Sequence, residues 1–169
     1  GGGAYDRVIT PSDDFAAILG AAGSNETIYV ETGTYHLTNH WINVSDGVAV
    51  HGAPNVIIKP GSADLGKRLI TLSSNCHLKN LTFDSEFADV HAVVISSGNN
   101  CLIEQCEFRN TPHGYYPLNS YKSNYTMVVN NVFADNADRG LAITGAVHDL
   151  NTWNDYGYIA NNIFRGNGE

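Results

Sequence analysis

The sequence predicts an all-β solenoid, a single-stranded parallel β-helix closed at its N-terminal end by a capping α-helix. Three observations predict it. A motif ending in Phe recurs at a regular interval through the later half of the chain. Short β-branched and aromatic runs are punctuated by Gly, Asn, Asp and Pro. One amphipathic helical segment precedes them all.

The elements follow in order. Residues 1–9, which open with Gly1-Gly2-Gly3, read as a linker and lead-in. Residues 10–23 read as the helical cap. Thr10 suits the N-cap and Pro11 the first helical position, and Asp13 completes a capping-box-like pattern. Phe15, Ile18, Leu19 and Ala22 fall on one helical face, and Gly23 supplies the stop. Such a helix can cover the open end of a sheet. Residues 24–169 read as the coils, beginning with short strand patterns at 27–30, 34–37, 41–44, 48–51 and 56–59.

The repeat carries most of the weight. Leu78-Lys79-Asn80-Leu81-Thr82-Phe83 is matched by Ile103-Glu104-Gln105-Cys106-Glu107-Phe108. Val128-Val129-Asn130-Asn131-Val132-Phe133 and Ile159-Ala160-Asn161-Asn162-Ile163-Phe164 repeat it again. The Phe residues are 25, 25 and 31 residues apart, and 25 residues before Phe83 stands Ile58. Each period is one coil. The aliphatics Leu78, Ile103, Val128 and Ile159 point inward with the Phe side chains. The amides Asn80, Gln105, Asn130 and Asn161 sit at a bend, where Asn tolerates left-handed backbone. Asn131 and Asn162 are placed to form an internal amide ladder. Cys76 and Cys101 stack on adjacent coils as small buried residues.

Composition bounds the function classes. The 169 residues are 43% hydrophobic and 15% charged, which suits one globular domain rather than a disordered chain. Net charge is −8 and no Lys/Arg cluster occurs, which argues against nucleic acid as a partner. No apolar run reaches membrane-spanning length, so membrane insertion is not expected. Three cysteines do not make a disulfide framework. No cofactor is expected, and calcium is left open without a recognisable site, because the acidic residues Asp84, Glu86, Asp135 and Asp138 are too scattered for a cage.

A family resemblance adds to this reading. The helix is followed by Ile28-Tyr29-Val30-Glu31-Thr32-Gly33-Thr34-Tyr35-His36-Leu37, then Val48-Ala49-Val50-His51-Gly52 and the later Asn-Asn-x-Phe coils. In these the chain resembles the pectin-lyase-like superfamily of right-handed parallel β-helices over roughly residues 8 to 167. The resemblance is specific for fold and weak for activity, since these coils serve tail spikes, polysaccharide lyases, hydrolases, epimerases and adhesins. It implies a module of a viral tail spike or extracellular surface appendage that binds host polysaccharide. The expected assembly is a homotrimer, and the expected location is extracellular or on the virion surface. The alternatives are a polysaccharide-active enzyme and a non-enzymatic adhesin or filament subunit. The absence of a capping pattern before Glu169 is the expectation of a fragment or part of a longer fibre.

Site residues are expected where strands begin after each Phe. His91, His113 and Arg139 would then form a basic column with Asp138 beside it. His113, Arg139 and Asp138 are the catalytic candidates, because a lyase needs a cation for the uronate carboxylate and a base for the neighbouring proton. His91, Tyr115, Lys122, His148 and Trp153 are the substrate-binding candidates. A glycosidase would instead draw two carboxylates from Asp135, Asp138, Asp149 and Asp155. Leu102, Met127 and Tyr158 form an outward apolar row that begins at His77, and they are the interface candidates.

Overall fold

A computed structural model describes residues 4–37, 41–61, 68–144 and 157–168. Strand β1 (Arg7–Ile9) and helix α1 (Phe15–Gly20) precede the first full coil, which holds β2 (Thr27–Val30), β3 (Gly33–Leu37) and β4 (Ile42–Val44). The second coil holds β5 (Ala49–Gly52), β6 (Val56–Pro60) and β7 (Arg68–Leu72). The third holds β8 (His77–Lys79), β9 (Thr82–Asp84) and β10 (His91–Ser96). The fourth holds β11 (Leu102–Glu104), β12 (Glu107–Arg109) and β13 (Leu118–Tyr121). The last strands are β14 (Met127–Val129), β15 (Val132–Ala134), β16 (Ala142–Thr144), β17 (Tyr158–Ala160) and β18 (Ile163–Arg165).

Among the described residues, each full coil contributes one strand to each of three parallel sheets. Sheet A runs β1-β2-β5-β8-β11-β14-β17, sheet B runs β3-β6-β9-β12-β15-β18, and sheet C runs β4-β7-β10-β13-β16. The architecture is the parallel β-helix that the repeat predicts.

The register explains why the pattern was legible. Strand side chains alternate, so one row per sheet points inward and must be apolar. In sheet A that row includes Ile28, Val50, Leu78, Ile103 and Val128, all buried. In sheet B it is Tyr35, Ile58, Phe83, Phe108, Phe133 and Phe164. The four Phe rings stack nearly parallel, with centroids 5.2, 5.1 and 4.9 Å apart. Each fully buried ring contributes on the order of 1.5–3 kcal/mol.

Bends need left-handed backbone. Asn80, Gln105, Asn130 and Asn161 all take it at the corner from sheet A to sheet B, with φ of 57°, 53°, 57° and 55°. Asn131 Oδ1 accepts from the Cys106 amide at 2.9 Å, and Asn131 Nδ2 donates to Ile103 O and to Asn162 Oδ1. The internal amide ladder therefore exists. A second ladder stands at the end of sheet B. Thr111 N donates to Asn136 Oδ1, and Asn136 Nδ2 donates to Phe108 O and Asn167 Oδ1. Cys76 and Cys101 are buried free thiols, and their Sγ atoms donate to Ser45 O and Ser73 O.

Three expectations need correction. Residues 7–9 are not a linker: β1 pairs in register with β2 and buries Ile9. The cap helix starts later than Thr10 and Pro11. Asp13 does reach back to Thr10 N, at 2.7 Å, but this closes a turn, and Asp14 caps the helix through Ala17 N. The helix also ends at Gly20, with Ala21 rather than Gly23 completing it. Its buried Phe15 and Leu19 still face the coils, and Phe15 lies 5.3 Å from the Tyr35 ring. Third, β13 and β16 begin at Leu118 and Ala142 rather than at His113 and Arg139. A turn in which Tyr115 N donates to Pro112 O delays strand entry. His113 therefore leaves the His91 row. Among the described residues no helix is long and apolar enough to cross a membrane.

Candidate functional site

The sheet A strands are three to four residues long and regular, so their outward side chains form straight rows. One row runs Tyr29, His51, Lys79, Glu104 and Val129. The neighbouring row runs Thr27, Ala49, His77, Leu102, Met127 and Tyr158. The face changes character along the helix axis. Its N-terminal half is aromatic and imidazole-rich, and its C-terminal half is apolar, with Met127 40% and Tyr158 59% exposed.

The N-terminal half is a connected site. Tyr5, just before β1, lays its ring 5.1 Å from that of Tyr29 and 5.9 Å from that of His51. Tyr5 Oη lies 3.5 Å from His51 Nδ1, His51 Nε2 lies 3.1 Å from His77 Nδ1, and His77 Nε2 lies 2.9 Å from Glu104 Oε1. Lys79 Nζ reaches the same carboxylate oxygen at 3.4 Å. A carboxylate only accepts, so His77 Nε2 carries the proton. A neutral His77 ring must then accept at Nδ1, from His51 Nε2–H. His51 Nδ1 is left to accept from the Tyr5 hydroxyl. Glu104 thus sets the direction of the whole chain of hydrogen bonds.

Tyr5, Tyr29, His51, Lys79, Asn80 and Gln105 line a cleft of about 460 Å³. A second cleft of about 340 Å³ follows the bend into sheet B and shares Asn80 and Gln105 with it. The backbone fits closely at this edge. Asn80 Nδ2 donates to Gly52 O at 2.8 Å, and a Cβ on Gly52 would stand 2.3 Å from Asn80 O.

Burial pushes the His51 imidazole below its usual basicity, and the nearby Lys79 ammonium adds to that. Burial alone would raise the Glu104 carboxyl, but the His77 hydrogen bond and the Lys79 charge outweigh it and hold it low. The unfolded chain therefore takes up a proton on His51 before the folded chain does. Stability is fully present above the ordinary histidine value of 6.5 and is lost as pH falls towards the lowered folded value. Thermal melting followed from about pH 7 to about pH 5 should show the midpoint falling, with a shallower fall in His51→Gln.

The residues expected from the sequence lie mostly elsewhere. His91 begins β10 in register with Arg68, accepts from Tyr116 N at Nδ1, and packs against Tyr115 and Tyr116. His113 is exposed on the turn after β12, and Asp138 accepts from Gly114 N of that turn at 3.3 Å. Arg139 is exposed ahead of β16. Lys122 follows the C-terminal end of β13, its ammonium 5.3 Å from the Tyr121 ring, whereas His91 opens the N-terminal end of the neighbouring β10. His148, Asp149, Trp153 and Asp155 lie outside the described residues. The structure thus gathers His91 with Tyr115 and Tyr116, ties Asp138 to the His113 turn, and separates Lys122 from both. Leu102, Met127 and Tyr158 do form the outward row expected of them. Among the described residues no three His, Cys, Asp or Glu side chains gather into a group able to hold a metal ion.

Sequence reasoning missed Tyr5, Tyr29, His51, Lys79 and Glu104. Lys79 and Glu104 share the 25-residue interval of Phe83 and Phe108, and that signal was available. Tyr29 to His51 is 22 residues and His51 to Lys79 is 28, so no single period exposes the row.

A family model described as a right handed beta helix region matches residues 69–169. No curated protein matches the chain. Among solved structures, the ORF18 protein of Geobacillus virus E2 gives a TM-score of 0.71 at 16% identity, over 95% of this chain and 39% of that one. A pectin methylesterase mutant in complex with a hexasaccharide gives 0.61 at 12% identity, over 97% of this chain and 67% of that one. An iota-carrageenase from A. fortis gives 0.55 at 16% identity, over 84% of this chain and 43% of that one. The chain spans about two fifths of the length of the viral protein. Likeness at these identities is a likeness of fold.

Proposed function

Because the chain belongs to the family of right-handed β-helix regions, we propose that it is a glycan-recognition module of a virion or extracellular surface appendage. One observation carries this reading: the groove on sheet A, where Tyr5 and Tyr29 stand beside a hydrogen-bonded row of polar groups. Aromatic rings supply flat apolar area against the faces of sugar rings, and the polar row supplies partners for hydroxyls. The fold likeness to a viral protein and to two proteins named for polysaccharide chemistry supports the class of ligand.

Titration calorimetry against a panel of oligosaccharides tests it. Tyr29→Ala should weaken the best ligand by about 10- to 30-fold, the loss expected for a central aromatic contact of about 1.4–2 kcal/mol. Unchanged affinity would refute the groove. The apolar half of the same face, Leu102, Met127 and Tyr158, is the surface through which three copies pack. Light scattering on the intact protein should return three times the chain mass, and a strict monomer would refute that assembly.

A second reading, a polysaccharide-active enzyme, draws support from the run Glu104–His77–His51–Tyr5, which can orient a base. It predicts release of reducing ends or of unsaturated product that Glu104→Gln abolishes. The recognition reading predicts neither.

A further inference from the structure

We infer that the groove on sheet A takes an uncharged stretch of glycan rather than a uronate or sulfated one. The inference rests on the glycan-recognition reading and names the ligand class of that same site. A polyanion requires cations in excess along its path. Among the described residues Lys79 is the one ammonium lining the first cleft, and its nitrogen already sits on Glu104, which His77 also holds. At the bend the next charge is the Glu107 carboxylate, with Arg109 shared between Glu107 and Asp84. At the N-terminal rim Arg7 is paired with Glu26, and Asp6 is bound to Thr27. Cations on this path are thus matched by carboxylates, and the net charge of −8 adds a repulsive field at longer range.

What the path offers in place of cations is neutral. Asn55, Asn80, Gln105 and Asn130 occupy successive corners of the coils, all with left-handed backbone. The side chains of Asn55, Gln105 and Asn130 are exposed. Each amide carries both donors and acceptors. A column of amides spaced one coil apart, beside the Tyr5–Tyr29 pair, matches a chain of hydroxyls and ring faces. It has no charge to match a row of carboxylates or sulfates.

The test uses the full chain against neutral gluco-, manno- and galacto-oligosaccharides and against polygalacturonate and iota-carrageenan. At least one neutral ligand should bind, with affinity changing by less than about twofold between about 50 and about 500 mM NaCl. Glu104→Gln leaves Lys79 unmatched, and polygalacturonate binding should then become measurable at the lower salt; no gain in that variant contradicts the charge argument. Wild-type binding of a polyanion that weakens with salt and is lost in Tyr29→Ala overturns the inference while sparing the groove. Failure of every glycan, or binding indifferent to Tyr29→Ala, overturns the groove reading itself.

Discussion

Replacing Phe108 by alanine should lower stability by about 3–5 kcal/mol, the range found when a large aromatic side chain is removed from a core. Phe108 is fully buried and has a ring on each side, Phe83 at 5.2 Å and Phe133 at 5.1 Å. Its removal opens a void that neighbouring coils cannot close, because their spacing is held by parallel strand pairing with β9 and β15. The companion change Phe87→Ala should cost far less, since that ring is 58% exposed and lies outside the stack. Urea unfolding of both variants checks the difference. Equal losses would mean that the stack does not organise the core.

Asn131→Ala carries the second large effect, on the order of 2–4 kcal/mol for two buried groups left without partners. Asn131 Oδ1 is the acceptor for the Cys106 amide, and Asn131 Nδ2 serves Ile103 O. The side chain is buried, so water cannot replace these bonds. Hydrogen exchange at the Cys106 amide should accelerate strongly, while amides of the first two coils keep their protection. A solenoid transmits such damage mainly to adjacent coils. Uniform loss of protection would contradict a ladder with local effect.

The inward half of the fold was legible in the sequence for a simple reason. Positions that stack coil on coil must be apolar, and Leu78, Ile103, Val128 and the Phe row declare their interval directly. The bends were legible because Asn80, Asn130 and Asn161 favour left-handed backbone. The second ladder was not, since Thr111 stands in for an amide above Asn136 and Asn167. The start of the cap was not, because Asp13 and Asp14 each make a capping-type hydrogen bond and only one begins the helix.

The candidate site was harder to read for a related reason. Residues inside a strand inherit their register from inward neighbours, whereas residues in a loop do not. His113 and Arg139 belong to loops, where the turn at Pro112 uncouples position from coil count. Tyr29, His51, Lys79 and Glu104 lie inside strands and were alignable in principle. The unequal first and second coils hid them. Tyr5 was hidden because it precedes a three-residue strand that reads as a lead-in.

The central claim is that ligand lies along the N-terminal half of sheet A. Amide chemical-shift mapping during titration with the best-binding oligosaccharide tests it most directly. The largest shifts should trace Tyr29, His51, Lys79, Asn80 and Gln105 across successive coils. Shifts gathered instead at His91, Tyr115 and Tyr116, with the sheet A row unmoved, would contradict the account and return the site to the edge of sheet C.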